Sequence, residues 1–157
     1  MTSNAIYDSL LGPITLTSIG EVLTALKFNP IDTIVTIDTK ATKKIFQDTF
    51  RWLDIFFSGR QPDFTPQISL QGTDFQLRVW HALMEIPYGQ TTTYGDLARR
   101  LSCRSAQAVG GAVGRNPIAV IVPCHRVIGS DGSLTGYAYG VEYKQYLLQI
   151  EKQICCK

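Results

Sequence analysis

Between Arg60 and Gly72 the chain carries Pro62, Pro66 and Gly72 with no helical period, leaving room for a short strand at Ile68 to Leu70 at most. This interruption divides two stretches of opposite character. Ahead of it lie β-rich runs and one amphipathic helix, and behind it lie helices marked off by caps and breakers, so the fold class is α+β. The boundary gives an N-terminal α/β domain with its connector at 1–72 and a second domain at 73–157.

In the first part, Ile14-Thr15-Leu16-Thr17 alternates apolar and polar after the turn signal Leu11-Gly12-Pro13. Val22 to Phe28 is a second β-rich run, and together they predict a small antiparallel sheet. Phe46, Phe50, Leu53 and Phe57 recur at helical spacing between Thr39 and Gly59, which predicts one helix covering that sheet with an aromatic stripe as its core face.

The second part opens on Thr73-Asp74-Phe75-Gln76, a capping box ahead of Phe75, Val79, Leu83 and Ile86. It predicts a helix over 74–86, ended by Pro87 and Gly89. Thr93 caps a short helix from Tyr94 to Leu101, and Ser105 caps another running to about Gly114. Two short helices joined by about three residues make a helix-turn-helix. The second of them reads Ala106-Gln107-Ala108-Val109-Gly110-Gly111-Ala112-Val113-Gly114, and each interior Gly costs about 1 kcal/mol relative to Ala. Something approaches this helix closely, either a packed neighbouring helix or an external partner. After Asn116-Pro117 come a buried strand over Ile118–Val122, a loop from Gly129 to Gly140 and a last helix from Val141 to Glu151.

At 157 residues and 45 % hydrophobic, the chain can bury a core and belongs with soluble globular proteins. The four cysteines form no C-x-x-C pair, and neither a signal segment nor a bilayer-length apolar run is present, which implies a reducing, intracellular setting. A cytoplasmic location, or a nuclear one in a eukaryote, is expected, with no membrane partner. The four Cys and two His lack the paired spacing of a structural zinc site, so no metal is expected. Net charge is only +2, but Arg99 to Ser130 holds Arg99, Arg100, Arg104, Arg115 and Arg126 without one acidic residue. Such a segment suits a phosphate backbone or is a solvated basic face.

Pro123-Cys124-His125 closes the apolar run. In a regular strand the two side chains point to opposite faces, but Pro123 stops the strand and a tight turn can bring imidazole and thiol together. The thiolate is the nucleophilic form and a nearby imidazole or cation favours it, whereas a cysteine beside an apolar run is often an inert core residue. The residue pair alone leaves both readings open.

Pro123-Cys124-His125-Arg126-Val127-Ile128, together with Ala108-Val109-Gly110-Gly111, Asn116-Pro117, Ile86-Pro87-Tyr88-Gly89, Thr93-Tyr94, Gly136-Tyr137 and Leu147-Leu148, resembles the O6-alkylguanine-DNA alkyltransferase family, the methylated-DNA-protein-cysteine methyltransferases. The likeness runs over residues 73–151 in order and spacing. It implies a ribonuclease H-like N-terminal domain and a C-terminal winged helix-turn-helix domain. It also implies irreversible, single-turnover transfer of an alkyl group from O6-alkylguanine in double-stranded DNA, with O4-alkylthymine as a further candidate, to Cys124, without a cofactor. The base is flipped from the duplex, the protein binds through the minor groove, and it acts as a monomer.

In that resemblance His125 acts as base through a water, Glu151 orients His125, Tyr94 donates a proton to the leaving guanine, and Asn116 holds the turn. The carbonyls of Cys124 and Val127 and the N–H of Ala138 bind the base, with Tyr137 as a wall. Gln107, Ala108, Gly111, Arg115 and Arg126 face DNA. Gln107 stands where many members carry an arginine that fills the gap left by the flipped base. Two other classes compete: an alkyltransferase-like damage-recognition protein that lacks the acceptor cysteine, and a helix-turn-helix regulator that has no use for the Pro-Cys-His turn.

Overall fold

The computed structural model describes residues 2–28, 43–134 and 136–155. They separate into two compact units, the first holding the described residues up to Leu70 with Pro117–Ala119, the second those of Gln71–Asn116 and from Val120 onward.

In the first unit β1 (Thr2–Ser9), β2 (Gly12–Ile19) and β3 (Val22–Phe28) form an antiparallel meander in chain order. Ser9 lies opposite Gly12, so the first turn holds only Leu10 and Leu11. Gly12 takes a φ of 102°, which a side chain would resist, and Ser9 Oγ donates to its carbonyl at 2.6 Å. The sequence pattern did not single out β1. Its residues, TSNAIYDS, are mostly polar, and only Asn4 and Ala5 among them are fully buried.

Helix α1 (Lys44–Phe57) buries Ile45, Phe46, Thr49, Trp52, Leu53 and Phe56. The expected stripe of Phe46, Phe50, Leu53 and Phe57 is therefore rotated: Phe50 and Phe57 sit beside Tyr7, with ring centroids 5.2 and 6.3 Å away. Residues 39–42, where the helix was expected to start, lie outside the described residues. The outer edge of β3 receives two single parallel bridges, from Ile68 to Leu23 and from Ile118 to Leu26. The expected strand at Ile68 to Leu70 is reduced to the first of these.

Ile118–Val122 is not a strand. Ile118 makes its one bridge, and Val120 then takes a φ of 69°, a conformation β-branched residues rarely adopt. The run is apolar because all five residues are buried, and no ladder accompanies that burial.

In the second unit α2 (Asp74–Met84) has the expected capping box, with Gln76 N–H donating to Thr73 Oγ1 and Thr73 N–H to Gln76 Oε1. β4 (Thr92–Thr93) leads into α3 (Tyr94–Arg100), capped by Thr93, and α4 (Ala106–Gly114) is capped by Ser105. Ser102, at φ 54°, shapes the turn between these two helices. The indole of Trp80 donates to the Ala112 carbonyl at 2.9 Å and ties α2 to α4. A 3-10 turn at Cys124–Arg126 leads into β5 (Val127–Ile128), which pairs in parallel with β4. The last helix, α5 (Val141–Cys155), outruns the expected Glu151 end. Among the described residues no helix is long and apolar enough to cross a membrane.

Candidate active site

The chain reaches Cys124 through two consecutive tight turns. Pro123, at φ −83° and ψ 66°, is the centre of an inverse γ-turn closed by the Cys124 N–H on the Val122 carbonyl at 2.8 Å. Proline suits this position because its ring fixes φ near that value. The same carbonyl accepts the Asn116 amide at 2.7 Å, which holds the turn against the left-handed strain stored at Val120, about 1–3 kcal/mol. The 3-10 turn follows at once, so Cys124 and His125 do not alternate across a pleat.

Cys124, His125 and Glu151 are all buried. His125 Nε2 and Glu151 Oε2 are 2.5 Å apart. The same carboxylate accepts the Gly89 N–H at 3.1 Å and the Arg126 guanidinium, whose Nε lies 2.9 Å from Oε1 and Nη2 3.0 Å from Oε2. Arg126 Nη1 donates to the Ile86 carbonyl at 2.7 Å. Arg126 is thus an internal residue, and its expected place on the DNA face is corrected: its guanidinium is spent on the Glu151 carboxylate, 25 residues away in sequence, and on the Ile86 carbonyl.

Burial pushes the Glu151 carboxyl upward, but hydrogen bonds and charge from His125 and Arg126 outweigh it and hold the group at about 2. Burial lowers His125, Glu151 opposes that, and Arg126 and Lys144 lower it further, leaving a neutral imidazole at neutral pH. Burial raises the Cys124 thiol against the hydrogen bond from Asn116 and the charge of Lys144. At rest the pair is thiol and imidazole, so a nucleophilic sulfur requires proton transfer within the site.

Glu151 also dictates how stability responds to acid. An unfolded glutamate protonates near 4.5 and the folded one at about 2, so the stabilisation is complete above pH 4.5 and is lost as pH falls through about 2. His125 acts in the same direction, because the unfolded chain takes up a proton near 6.5 that the buried imidazole resists. The urea midpoint should fall from pH 7 to pH 3 as first His125 and then Glu151 lose their contributions. A midpoint that does not change over this range would contradict this.

Tyr94 is the first residue of α3. Burial and the neighbouring Cys124 both raise its phenol. Gly136, at φ 89°, passes so close that a Cβ there would lie 2.8 Å from the Tyr94 oxygen, so this loop needs glycine for both conformation and space. A Cβ on Gly110 of α4 would meet the Tyr94 ring in ordinary van der Waals contact, at 3.7 Å. Tyr137 also faces Cys124, which together with burial pushes its phenol well up, and its ring meets Tyr139 edge-on at 5.7 Å. Ala138 is exposed between these rings, and Val127 is buried in β5 opposite Thr92.

On α4, Gln107, Ala108, Gly111 and Gly114 are exposed, flanked by exposed Arg104 and Arg115. Added Cβ atoms on Gly111 and Gly114 would meet nothing within 4 Å. The outer glycines leave a smooth face. Arg99 pairs with Asp96 and Arg100 with Glu85.

Two family models divide the chain between them. The ribonuclease-like domain of 6-O-methylguanine DNA methyltransferase matches residues 4–70, and the DNA binding domain of the same family matches residues 74–153. The chain belongs to this family. The methylated-DNA–protein-cysteine methyltransferase of Mycobacterium bovis is 46 % identical over 151 residues, spanning 92 % of this chain and 89 % of its own. The Methanosarcina barkeri protein of the same name is 46 % identical over 150 residues, spanning 94 % of this chain and 95 % of its own. The crystal structure of Mycobacterium tuberculosis OGT in complex with DNA superposes with a TM-score of 0.87 at 45 % identity, over 96 % of this chain and 93 % of that one.

One residue of this alkyltransferase site escaped the sequence reading. Lys144 is fully buried, its Nζ lies 5.7 Å from the centre of the Tyr94 ring, and its charge favours ionised Cys124. Burial lowers its own proton affinity and Cys124 opposes that. The signal was its spacing: Lys144, Leu147 and Glu151 fall on one face of α5, a cation within an apolar stripe. Among the described residues no cluster of His, Cys, Asp or Glu has the makings of a metal site.

Proposed function

We propose that this chain repairs O6-alkylguanine in double-stranded DNA by transferring the alkyl group to its own Cys124, once per molecule. The observation that carries this reading is a buried thiol followed directly in the chain by a buried imidazole that Glu151 holds at 2.5 Å, in the unit that also bears the smooth, arginine-flanked face of α4.

The step balances without a cofactor. The Cys124 thiol gives its proton to His125 through a bridging water, and Glu151 stabilises the imidazolium that forms. The sulfur attacks the alkyl carbon, the carbon–O6 bond breaks, and its electron pair stays on the guanine, which takes a proton from Tyr94. The proton on His125 then restores the phenol. Lys144 adds a positive charge toward the developing thiolate. The thioether has no hydrolytic exit here, so the protein is consumed. The Cys124 carbonyl already accepts the Val127 N–H, and its second lone pair remains for the guanine amine, with the Val127 carbonyl and Ala138 N–H as further contacts and Tyr137 as wall.

Reaching the sulfur requires the base to leave the stack, at a cost of a few kcal/mol. The face formed by Gln107, Ala108, Gly111 and Arg115 enters the minor groove, where small residues permit close approach. Arg104 and Arg115 carry the phosphate contacts. Neutralising either one lowers the magnitude of the log-log salt slope of duplex binding by about one unit. An unchanged slope in both variants would remove α4 from the interface. Each copy holds thiol, base and DNA face, so a monomer suffices, and a reduced cytoplasmic or nuclear compartment keeps the thiol available.

The test is a titration of O6-methylguanine duplex with protein, scored by chromatography of the released nucleosides. One guanine restored per protein molecule supports repair. Tight binding with the lesion left intact would favour the damage-recognition alternative.

A further inference from the structure

Arg126 belongs to the Pro-Cys-His-Arg motif, yet the transfer step above gives it no task. It is 9 % exposed and spends its guanidinium on two partners, the Glu151 carboxylate and the Ile86 carbonyl, while its cationic carbon lies 5.6 Å from the centre of the Tyr88 ring. Three of its hydrogen bonds, at 2.9, 3.2 and 3.0 Å, reach the two oxygens that also serve Gly89 and His125.

We propose that Arg126 is a positioning residue for alkyl transfer, whose fork fixes the Glu151 carboxylate and whose charge divides that carboxylate's pull between two cations, so that His125 returns to its neutral, proton-accepting form. This rests on the repair reading above.

Consider the charges that face His125. Glu151 and Lys144 come from α5, and Arg126 from its own 3-10 turn. Burial is the largest influence against a charged imidazole, while Glu151 draws a proton toward it, and a base that already carries a proton cannot take one from Cys124. With Arg126 present, Glu151 is already neutralised, and an imidazolium would place a second positive charge beside the guanidinium. The imidazole is oriented by the carboxylate without being captured by it. The Ile86 and Gly89 contacts anchor the same network to the turn after α2, so Glu151 cannot follow His125 if that ring moves.

The chain has only two histidines, so the ring signals of His125 can be assigned and followed by NMR. In DNA-free parent protein His125 should titrate below the ordinary imidazole range. In Arg126→Met its midpoint should rise by about one unit or more, and the acid limb of the single-turnover rate should move up with it, lowering the rate at pH 6 by about tenfold. Arg126→Lys keeps the charge without the fork and should show a smaller rise in both. It is also the variant to use if the methionine protein does not fold.

A purely structural Arg126 would lower the melting temperature and leave the midpoint and the acid limb where they are. That result, in whichever variant folds, would overturn the proposal. The titration needs no DNA, so it judges Arg126 even if the parent takes up no alkyl group. That second outcome would instead sink the repair reading.

Discussion

Cys124→Ser abolishes alkyl uptake while leaving duplex binding within about twofold. The substitution is nearly isosteric and keeps a group that can receive the Asn116 hydrogen bond. A hydroxyl, however, ionises far above a thiol, and the mechanism already has to deprotonate a group that burial disfavours as an anion. Loss of a nucleophile of this kind lowers the rate by roughly 10⁶-fold, beyond detection in a single-turnover assay. The α4 face is separate from the thiol and should be unaffected. The check is a rate measurement with an excess of protein over O6-methylguanine duplex, beside a binding titration. Transfer by the serine variant at a tenth of the parental rate would mean that Cys124 is not the acceptor.

Tyr94→Phe slows transfer by roughly 10- to 10⁴-fold, the span for groups that move a proton in the transition state. Guanine leaving as an anion is poor, so the phenol's proton matters most at the moment the carbon–oxygen bond breaks. The ring itself stays, and with it the approach of Lys144 Nζ, 5.7 Å from its centre, so folding and DNA affinity should change little. The loss should also shrink for alkyl donors with better leaving groups. An equal loss across such a donor series would show that the hydroxyl positions the base without delivering a proton.

Much of this architecture was readable because its signals are local. Thr73 with Gln76, and Ser105 ahead of its helix, are caps whose partners lie three residues away, and both form as expected. The Pro-Cys-His turn was legible for the same reason, since proline at its centre dictates the backbone. What escaped depends on partners distant in sequence. Nothing near Arg126 says that Glu151 will bury it, and a row of arginines without acids looked like one continuous basic surface. Ile118–Val122 has the composition of a core strand because it is buried, but composition reports burial and not pairing, and the left-handed Val120 is set by Asn116 holding the next turn. β1 shows the converse: its polar residues pair along β2 because the two-residue turn brings them there. Lys144 was visible in principle, as a charged residue in register with Leu147 and Glu151 on the buried face of α5.

The central claim, one irreversible transfer to one sulfur, is tested most directly by intact-mass measurement and peptide mapping after incubation with excess O6-methylguanine duplex. Replacement of the thiol hydrogen by a methyl group adds about 14 Da. The account predicts that increment on every active molecule, once, on the peptide containing Cys124, with Cys103, Cys155 and Cys156 unmodified. Label on another cysteine, an unmodified protein after loss of the lesion, or more than one lesion repaired per molecule would contradict it.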